Sequence, residues 1–279
     1  MTIAIGILSP SCVLLAADSE ETTLSAGDLK SSVGKIGFHS SIKFDAEQGG
    51  GCTFNSIAMS GAGDSAYLAA LKQHLVEDFA SVKQVGEFDG ILRNRIRNFY
   101  EEHVMPFTDL DLRVNVIVTA CCGADQRLWV TNLTTVRSVN TLGICFVGSG
   151  DRWANTAIGP TVATTDHVAL SIVAAFGIFF AKEYAGGCGK QTHIVLIGHN
   201  LPPILARREA LDSLDSLFRR YEGFNAFMRY SLLGVPTSDG FTGIETKLGA
   251  FRKEVEEISR VLYPASPLTP AVEEKTGTA

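Results

Sequence analysis

The chain has 279 residues, 46% of them hydrophobic and 19% charged, with a formal net charge of -6. Such a length and apolar content suffice for one large domain or two small ones, and the acidic balance with no Lys/Arg stripe excludes a nucleic-acid surface. The longest apolar run, residues 168–181, holds 14 residues, fewer than the roughly 18–20 a membrane crossing needs, so it reads as a buried helix and no membrane is expected as a partner.

Thr2 heads the first apolar run, Ile3-Ala4-Ile5-Gly6-Ile7-Leu8, and Ser9-Pro10-Ser11 separates it from Val13-Leu14-Leu15-Ala16-Ala17. These read as two short strands joined by a tight turn, with Asp18 closing the second. The same stretch mimics a secretory signal, but its first basic residue is Lys30, so the basic leader of a signal is missing. Six cysteines without CxxC spacing (Cys12, Cys52, Cys121, Cys122, Cys145 and Cys188) then read as reduced thiols of a cytoplasmic protein.

A polar segment over 19–32 leads to Lys35-Ile36-Gly37-Phe38 and a Gly-rich insertion over about 39–52. The strand 54–59 runs into the turn Ser60-Gly61-Ala62-Gly63-Asp64, which opens a helix carrying Leu68, Leu71, Leu75, Val76 and Phe79 at helical spacing. A second amphipathic helix covers about 88–104, with Ile91, Leu92, Ile96, Phe99 and His103 inward and Arg93, Arg95 and Arg97 on a solvated or intersubunit face. Strands follow at 112–118, 127–131 and 143–147, the first two joined by a hairpin turn at 123–126. Gly148-Ser149-Gly150-Asp151 leads into a long helix over 164–184 that is apolar nearly all round and ends at Gly186-Gly187. A strand at 192–197, helices at 204–221 and 242–262 and a loose tail at 264–279 complete the chain. This order of elements predicts layered α/β packing.

The chemistry-bearing feature is the pair Met1-Thr2. An initiator Met before a small residue is readily removed, and a new N-terminal Thr then carries a hydroxyl and an amine on one residue. With an ordinary pKa of about 7.7–8.0 the amine is partly neutral at pH 7 and can serve as the base for the hydroxyl. The six histidines show no metal-binding spacing, so neither a metal nor a cofactor is expected.

In order and spacing, Thr2, Leu15-Ala16-Ala17-Asp18, Lys35-Ile36, Ser60-Gly61, Gly148-Ser149-Gly150 and Ala185-Gly186-Gly187 resemble the proteasome β-subunit family of N-terminal nucleophile hydrolases, bacterial homologues included, over residues 2–198. The resemblance implies a four-layer αββα sandwich of two antiparallel sheets flanked by helices. It places that domain at 1–199, a helical C-terminal extension at 200–263 and a flexible tail at 264–279. It also implies roles: Thr2 as nucleophile, Asp18 holding Lys35 as a cation that eases ionisation of the hydroxyl, Gly61 N–H for the oxyanion, and Ser149 on the amine. Thr22 would pair with an extended peptide as an added strand, beside an uncharged, moderately apolar pocket lined near Val33, Met59 and Gly63.

The function implied is a threonine peptidase working inside a self-compartmentalising, homo-oligomeric ring. Its partners would be peptide or unfolded protein as substrate and an ATP-dependent unfoldase. Two alternatives stand beside it: a catalytically weak or inactive scaffold subunit of the same fold, and an amidohydrolase acting on a small-molecule amide. The departures from the family bear on this choice. Lys182 and Ala185 stand where the family carries an Asp and a Ser that support the amine. A cation there depresses the amine pKa, so a working site must aim Lys182 elsewhere, and Glu183 substitutes only if the helix end is re-registered.

Overall fold

A computed structural model describes residues 2–23, 29–32, 35–45, 51–107, 114–186, 188–199, 201–233 and 238–264, with the backbone alone at 20–23, 29–32, 42–45, 51–54, 223–233 and 238–244. The chain begins with β1 (Ile3–Leu8), β2 (Cys12–Asp18), β3 (Glu20–Thr23), β4 (Leu29–Ser32), β5 (Gly37–Asp45) and β6 (Gly51–Ala62). Helices α1 (Ser65–Ala80) and α2 (Val85–Phe99) follow, then β7 (Asn115–Cys122), β8 (Asp125–Asn132), β9 (Thr135–Ser138) and β10 (Ile144–Gly148). The last part comprises α3 (Asp151–Ile158), α4 (His167–Tyr184), β11 (Thr192–Gly198), β12 (Ile204–Leu205), α5 (Arg208–Leu233) and α6 (Ser238–Ser259).

Two antiparallel sheets of five strands form the centre, ordered β10-β1-β2-β11-β12 and β5-β6-β7-β8-β9. The first sheet is apolar on both faces, and the two-residue period of a strand assigns each face its residues. Ile3, Ile5, Ile7, Leu14 and Ala16 meet Leu170, Ala174, Ile178 and Phe179 of α4. Ala4, Leu8, Val13, Leu15 and Ala17 meet Ala58, Ile117, Cys121 and Leu128 of the second sheet. The outer face of that second sheet (Ile57, Met59, Val116, Val118, Trp129) is covered by Leu71, Leu75 and Phe79 of α1 and Phe88, Leu92 and Ile96 of α2. The order of layers is therefore αββα, the architecture expected. Trp129 is fixed within it by an edge contact with Phe88 at 5.7 Å and an indole N–H bond to Asp89 Oδ1 of 2.8 Å.

Helix α4 is long and apolar enough, by length and composition, to cross a membrane. Here it is the core helix, buried between the first sheet and α5, whose Phe218 ring lies 5.2 Å from Phe176 and 5.6 Å from Phe179. Asp166 caps its start by accepting from Val168 and Ala169 N–H. The C-terminal helices share this core: Ala210, Leu211, Leu214, Phe218, Leu262 and Tyr263 are buried in it, and Tyr263 Oη lies 2.6 Å from Ser171 Oγ.

The structure departs from the sequence expectations at several elements. The supposed insertion at 39–52 consists largely of the paired arms of β5 and β6, in register from Gly37 opposite Met59 to Asp45 opposite Gly51. The polar segment before it contains a second hairpin, β3 with β4, from Glu20 opposite Ser32 to Thr23 opposite Leu29. Helix α3 was not foreseen, and the strand expected at 112–118 is displaced to 115–122, with 112 and 113 outside the described residues. Helix α2 starts earlier than expected, behind a Gln84/Glu87 capping box, and runs into a π-helical turn over Tyr100–Val104. His103 on that turn is half-buried, its ring 5.0 Å from that of buried Phe99 and 6.1 Å from that of Tyr67. Arg93 and Arg95 are held within the chain, by Asp89 with the Val136 carbonyl and by both oxygens of Asp78 respectively.

Candidate active site

Strand β1 lies between β10 and β2, with Ile3 opposite Gly148 on one side and Ala4 opposite Ala17 on the other. Thr2 therefore emerges between the end of β2, where Asp18 stands, and the end of β10, where the chain turns through Gly148 and Ser149 into α3. The approach is close. Gly148 has φ of +110°, and a Cβ there would lie 2.1 Å from the Thr2 carbonyl oxygen, so a residue without a side chain is required.

Around Thr2, itself only 8% exposed, the groups converge by hydrogen bonding. Its N–H donates to Ser149 Oγ at 3.3 Å, and Ser149 Oγ reaches back to the Thr2 carbonyl at 3.5 Å. Asp18 is fully buried and accepts three bonds: Ile3 N–H at 3.0 Å and Lys35 Nζ at 2.8 Å on Oδ1, and Gly189 N–H at 3.0 Å on Oδ2. The Lys35 side chain is 7% exposed, so the cation is sequestered beside its carboxylate. The cost of burying such a pair is offset by its mutual contact and by the two backbone N–H groups that complete the carboxylate. Asp18 Oδ1 thus ties the buried Lys35 cation to the backbone of Ile3, the residue after Thr2, whose own nitrogen is held by Ser149. Among the described residues no group of three or more His, Cys, Asp or Glu side chains is placed to hold a metal ion.

The remaining expected residues fall as follows. Gly61 lies inside β6 opposite Val116, and a Cβ there would meet the Asn115 carbonyl, Leu68 and Val116 at 2.8 Å each, so packing alone already demands glycine. Met59 is buried in the core beneath α1 and α2, while Gly63 is exposed at the turn before α1 with φ of +135°. Thr22 belongs to β3 opposite Lys30, and Val33 lies outside the described residues.

Lys182 is engaged by other partners: its Nζ donates to the Lys190 carbonyl at 3.2 Å, to Thr192 Oγ1 at 3.0 Å and to Asp215 of α5. Glu183 pairs with Arg219 at 3.1 Å, so it supplies no carboxylate to the amine. Ala185 is buried and brings only a methyl group. What lies beside Ser149 instead is Cys188, its Sγ 3.9 Å from Ser149 Oγ.

Sequence reading missed both Cys188 and Gly189, the donor to Asp18. The signal was their position just past the Gly186-Gly187 pair, where the chain returns towards β11. Burial, reinforced by the negative Asp18, pushes the Cys188 thiol up to about 11, against the pull of Ser149 and Lys35. At pH 8 about one molecule in a thousand then carries the thiolate. Native alkylation with iodoacetamide at that pH is expected to modify the half-buried Cys122 while sparing Cys188, as read by peptide mass spectrometry.

No protein-family model matches the sequence, and no curated protein matches it. Solved structures do. Anbu (ancestral beta-subunit) from Yersinia bercovieri superposes with a TM-score of 0.61 at 11% identity, over 84% of this chain and 98% of that one. The Anbu complex of Pseudomonas aeruginosa, described as a helical assembly, gives 0.66 at 11% identity over 85% and 99%. Anbu from Hyphomicrobium sp. strain MC1 gives 0.58 at 12% identity over 85% and 99%. At such identities the likeness is one of fold: the chain has the fold of the Anbu (ancestral beta-subunit) structures.

Proposed function

We propose that this protein is a threonine-type peptidase subunit whose nucleophile is Thr2, freed at its amine by removal of Met1. The observation that carries the reading is the buried Asp18–Lys35 pair set directly behind the first residues of β1, with Ser149 on the Thr2 nitrogen. In the reaction Thr2 Oγ attacks the substrate carbonyl carbon while the Thr2 amine takes the hydroxyl proton. The neighbouring Lys35 cation stabilises negative charge developing on Oγ, and Gly61 N–H receives the oxyanion. Collapse passes the proton to the leaving amine and leaves an ester on Thr2. A water activated by the same amine then hydrolyses that ester and restores the hydroxyl. Among the described residues β3 pairs with β4 alone, so its other edge, at Thr22, is free to accept an extended peptide as an added strand. The helical assembly of the similar Pseudomonas aeruginosa complex supports self-association of this chain.

A second reading, a scaffold subunit with little or no activity, is favoured by one observation. With Lys182 bound to Asp215 and Ala185 carrying only a methyl group, the Thr2 nitrogen is held by Ser149 Oγ, which has the Cys188 thiol beside it. Intact-mass analysis of the purified protein treated with an epoxyketone or β-lactone decides between the two. The peptidase reading requires loss of Met1 and one adduct per chain, absent from Thr2→Ala. Retention of Met1, or a wild-type chain without adduct, overturns it in favour of the scaffold. Turnover of fluorogenic peptides but not of simple amides separates the peptidase from a small-molecule amidohydrolase.

A further inference from the structure

The C-terminal extension reaches the site through a buried ion pair. Lys182, in the last turn of α4, has a side chain 5% exposed, and its partner Asp215 on α5 is 18% exposed. Asp215 Oδ1 is buried and makes no hydrogen bond among the described residues, so this carboxylate is committed to Lys182 through Oδ2. Two helices pack at least as well through apolar side chains of the same volume. What the charged pair adds is direction, since Lys182 Nζ also holds the Lys190 carbonyl at 3.2 Å and Thr192 Oγ1 at 3.0 Å.

Lys190 takes a left-handed backbone, φ +56°, which a non-glycine residue adopts at a cost and keeps when its surroundings fix it. The residues on either side then serve the site. Gly189 N–H donates to Asp18 Oδ2 at 3.0 Å, and Gln191 exchanges bonds with Ser19, N–H to Oγ at 3.0 Å and carbonyl from N–H at 2.9 Å. Cys188 Sγ lies 3.9 Å from Ser149 Oγ.

We propose that Asp215 is a positioning residue: by holding Lys182 against the Lys190 carbonyl, it fixes residues 188–191 so that Gly189 holds Asp18 and Cys188 packs on Ser149. The C-terminal extension is thereby a part of the site although it touches no reacting group. The same contact binds the Lys182 cation to α5. The proposal rests on the reading of Thr2 as nucleophile for its catalytic consequence, and on geometry alone for the clamp.

Asp215→Ala and the double variant Lys182→Met/Asp215→Leu test it, with Val136→Ala, in the core under α2, as a control of comparable thermal midpoint on the far side of the molecule. Two quantities are read: peptidase kcat and KM, and the rate at which iodoacetamide modifies Cys188 at pH 8. A displacement of the 188–191 segment by about 1 Å is expected to lower kcat by about tenfold to a hundredfold with KM little changed, and to speed Cys188 modification by a similar factor. The double variant is expected to regain the thermal midpoint but neither kcat nor the protection of Cys188. If Asp215→Ala does not fold, the double variant alone carries the test. Wild-type kcat and protection in the double variant overturn the proposal, as do equal losses in Val136→Ala. A wild-type chain that forms no adduct on Thr2 defeats the nucleophile reading instead, and Cys188 protection then still decides the clamp.

Discussion

Gly148→Ala is expected to lower the reactivity of Thr2 by about a hundredfold and to lower the thermal midpoint, whereas Gly159→Ala, at another positive-φ glycine, leaves the site intact. Both positions have left-handed backbones, φ +110° and +74°, so both substitutions carry backbone strain of roughly 1 kcal/mol or more. Their surroundings differ. A Cβ at 159 meets nothing within 4 Å, while at 148 it lies 2.1 Å from the Thr2 carbonyl oxygen, 2.8 Å from its carbon and 3.3 Å from the Ala62 Cβ. The two closest of these are main-chain atoms of β1's first turn into the site, and no rotamer change relieves them. Overpacking adds about 1–3 kcal/mol to the strain, so Gly148→Ala is expected to cost about 2–6 kcal/mol in all. In a chain of this size that lowers the midpoint by about 4–10 °C in calorimetry. The activity loss is larger, since moving β10 away from Thr2 carries Ser149 with it, and an error of about 1 Å costs about a hundredfold. A Gly148→Ala chain with wild-type adduct rate would show that the Gly148–Thr2 contact does not set the site.

These two glycines also show what the sequence made legible. Gly148-Ser149-Gly150 was readable as a turn at a strand end, but not that one of its glycines must admit the Thr2 carbonyl, because that contact spans 146 residues of chain. Strands β1 and β2 were legible because both faces are buried and every position is apolar or small. Strands β3, β4 and β5 were not, because Glu20, Glu21, Lys30, Ser40, Ser41 and Lys43 give no apolar period, and their pairing comes from neighbouring backbone. Helix α3 was hidden by its eight residues, too short to show a repeat, with Trp153 partly exposed and stacked at 5.5 Å on Tyr184.

The site divides in the same way. Thr2 and Asp18 sit at strand boundaries that the apolar pattern marks, whereas Lys35, just before β5, was legible only through the family resemblance. The fate of Lys182 depends on Asp215, 33 residues further on and in a helix packed from the other side, and no local pattern announces that pairing. From sequence the requirement is that Lys182 be aimed elsewhere; its side chain is bound by Lys190, Thr192 and Asp215.

Asp18→Asn is expected to remove activity by about a hundredfold to a thousandfold, in keeping with loss of preorganised charge at a buried site, and to cost about 3–5 kcal/mol of stability. The substitution changes almost no volume, so the cause is chemical. Three donors face this side chain, Ile3 N–H, Lys35 Nζ and Gly189 N–H, and both carboxylate oxygens are in use. An amide offers one acceptor oxygen and turns its NH2 against a donor in either orientation. Lys35, 7% exposed, then loses the carboxylate it faces, and with it the hold that places its side chain behind the first residues of β1. The double variant Asp18→Leu/Lys35→Met separates the two consequences. With no buried charge left unpaired it is expected to recover much of the thermal midpoint, yet to form no electrophile adduct on Thr2. Recovery of both would reduce the pair to a salt bridge under the hairpin, with no part in the chemistry. Recovery of stability alone assigns the charge of Lys35 to the nucleophile and that of Asp18 to keeping it there.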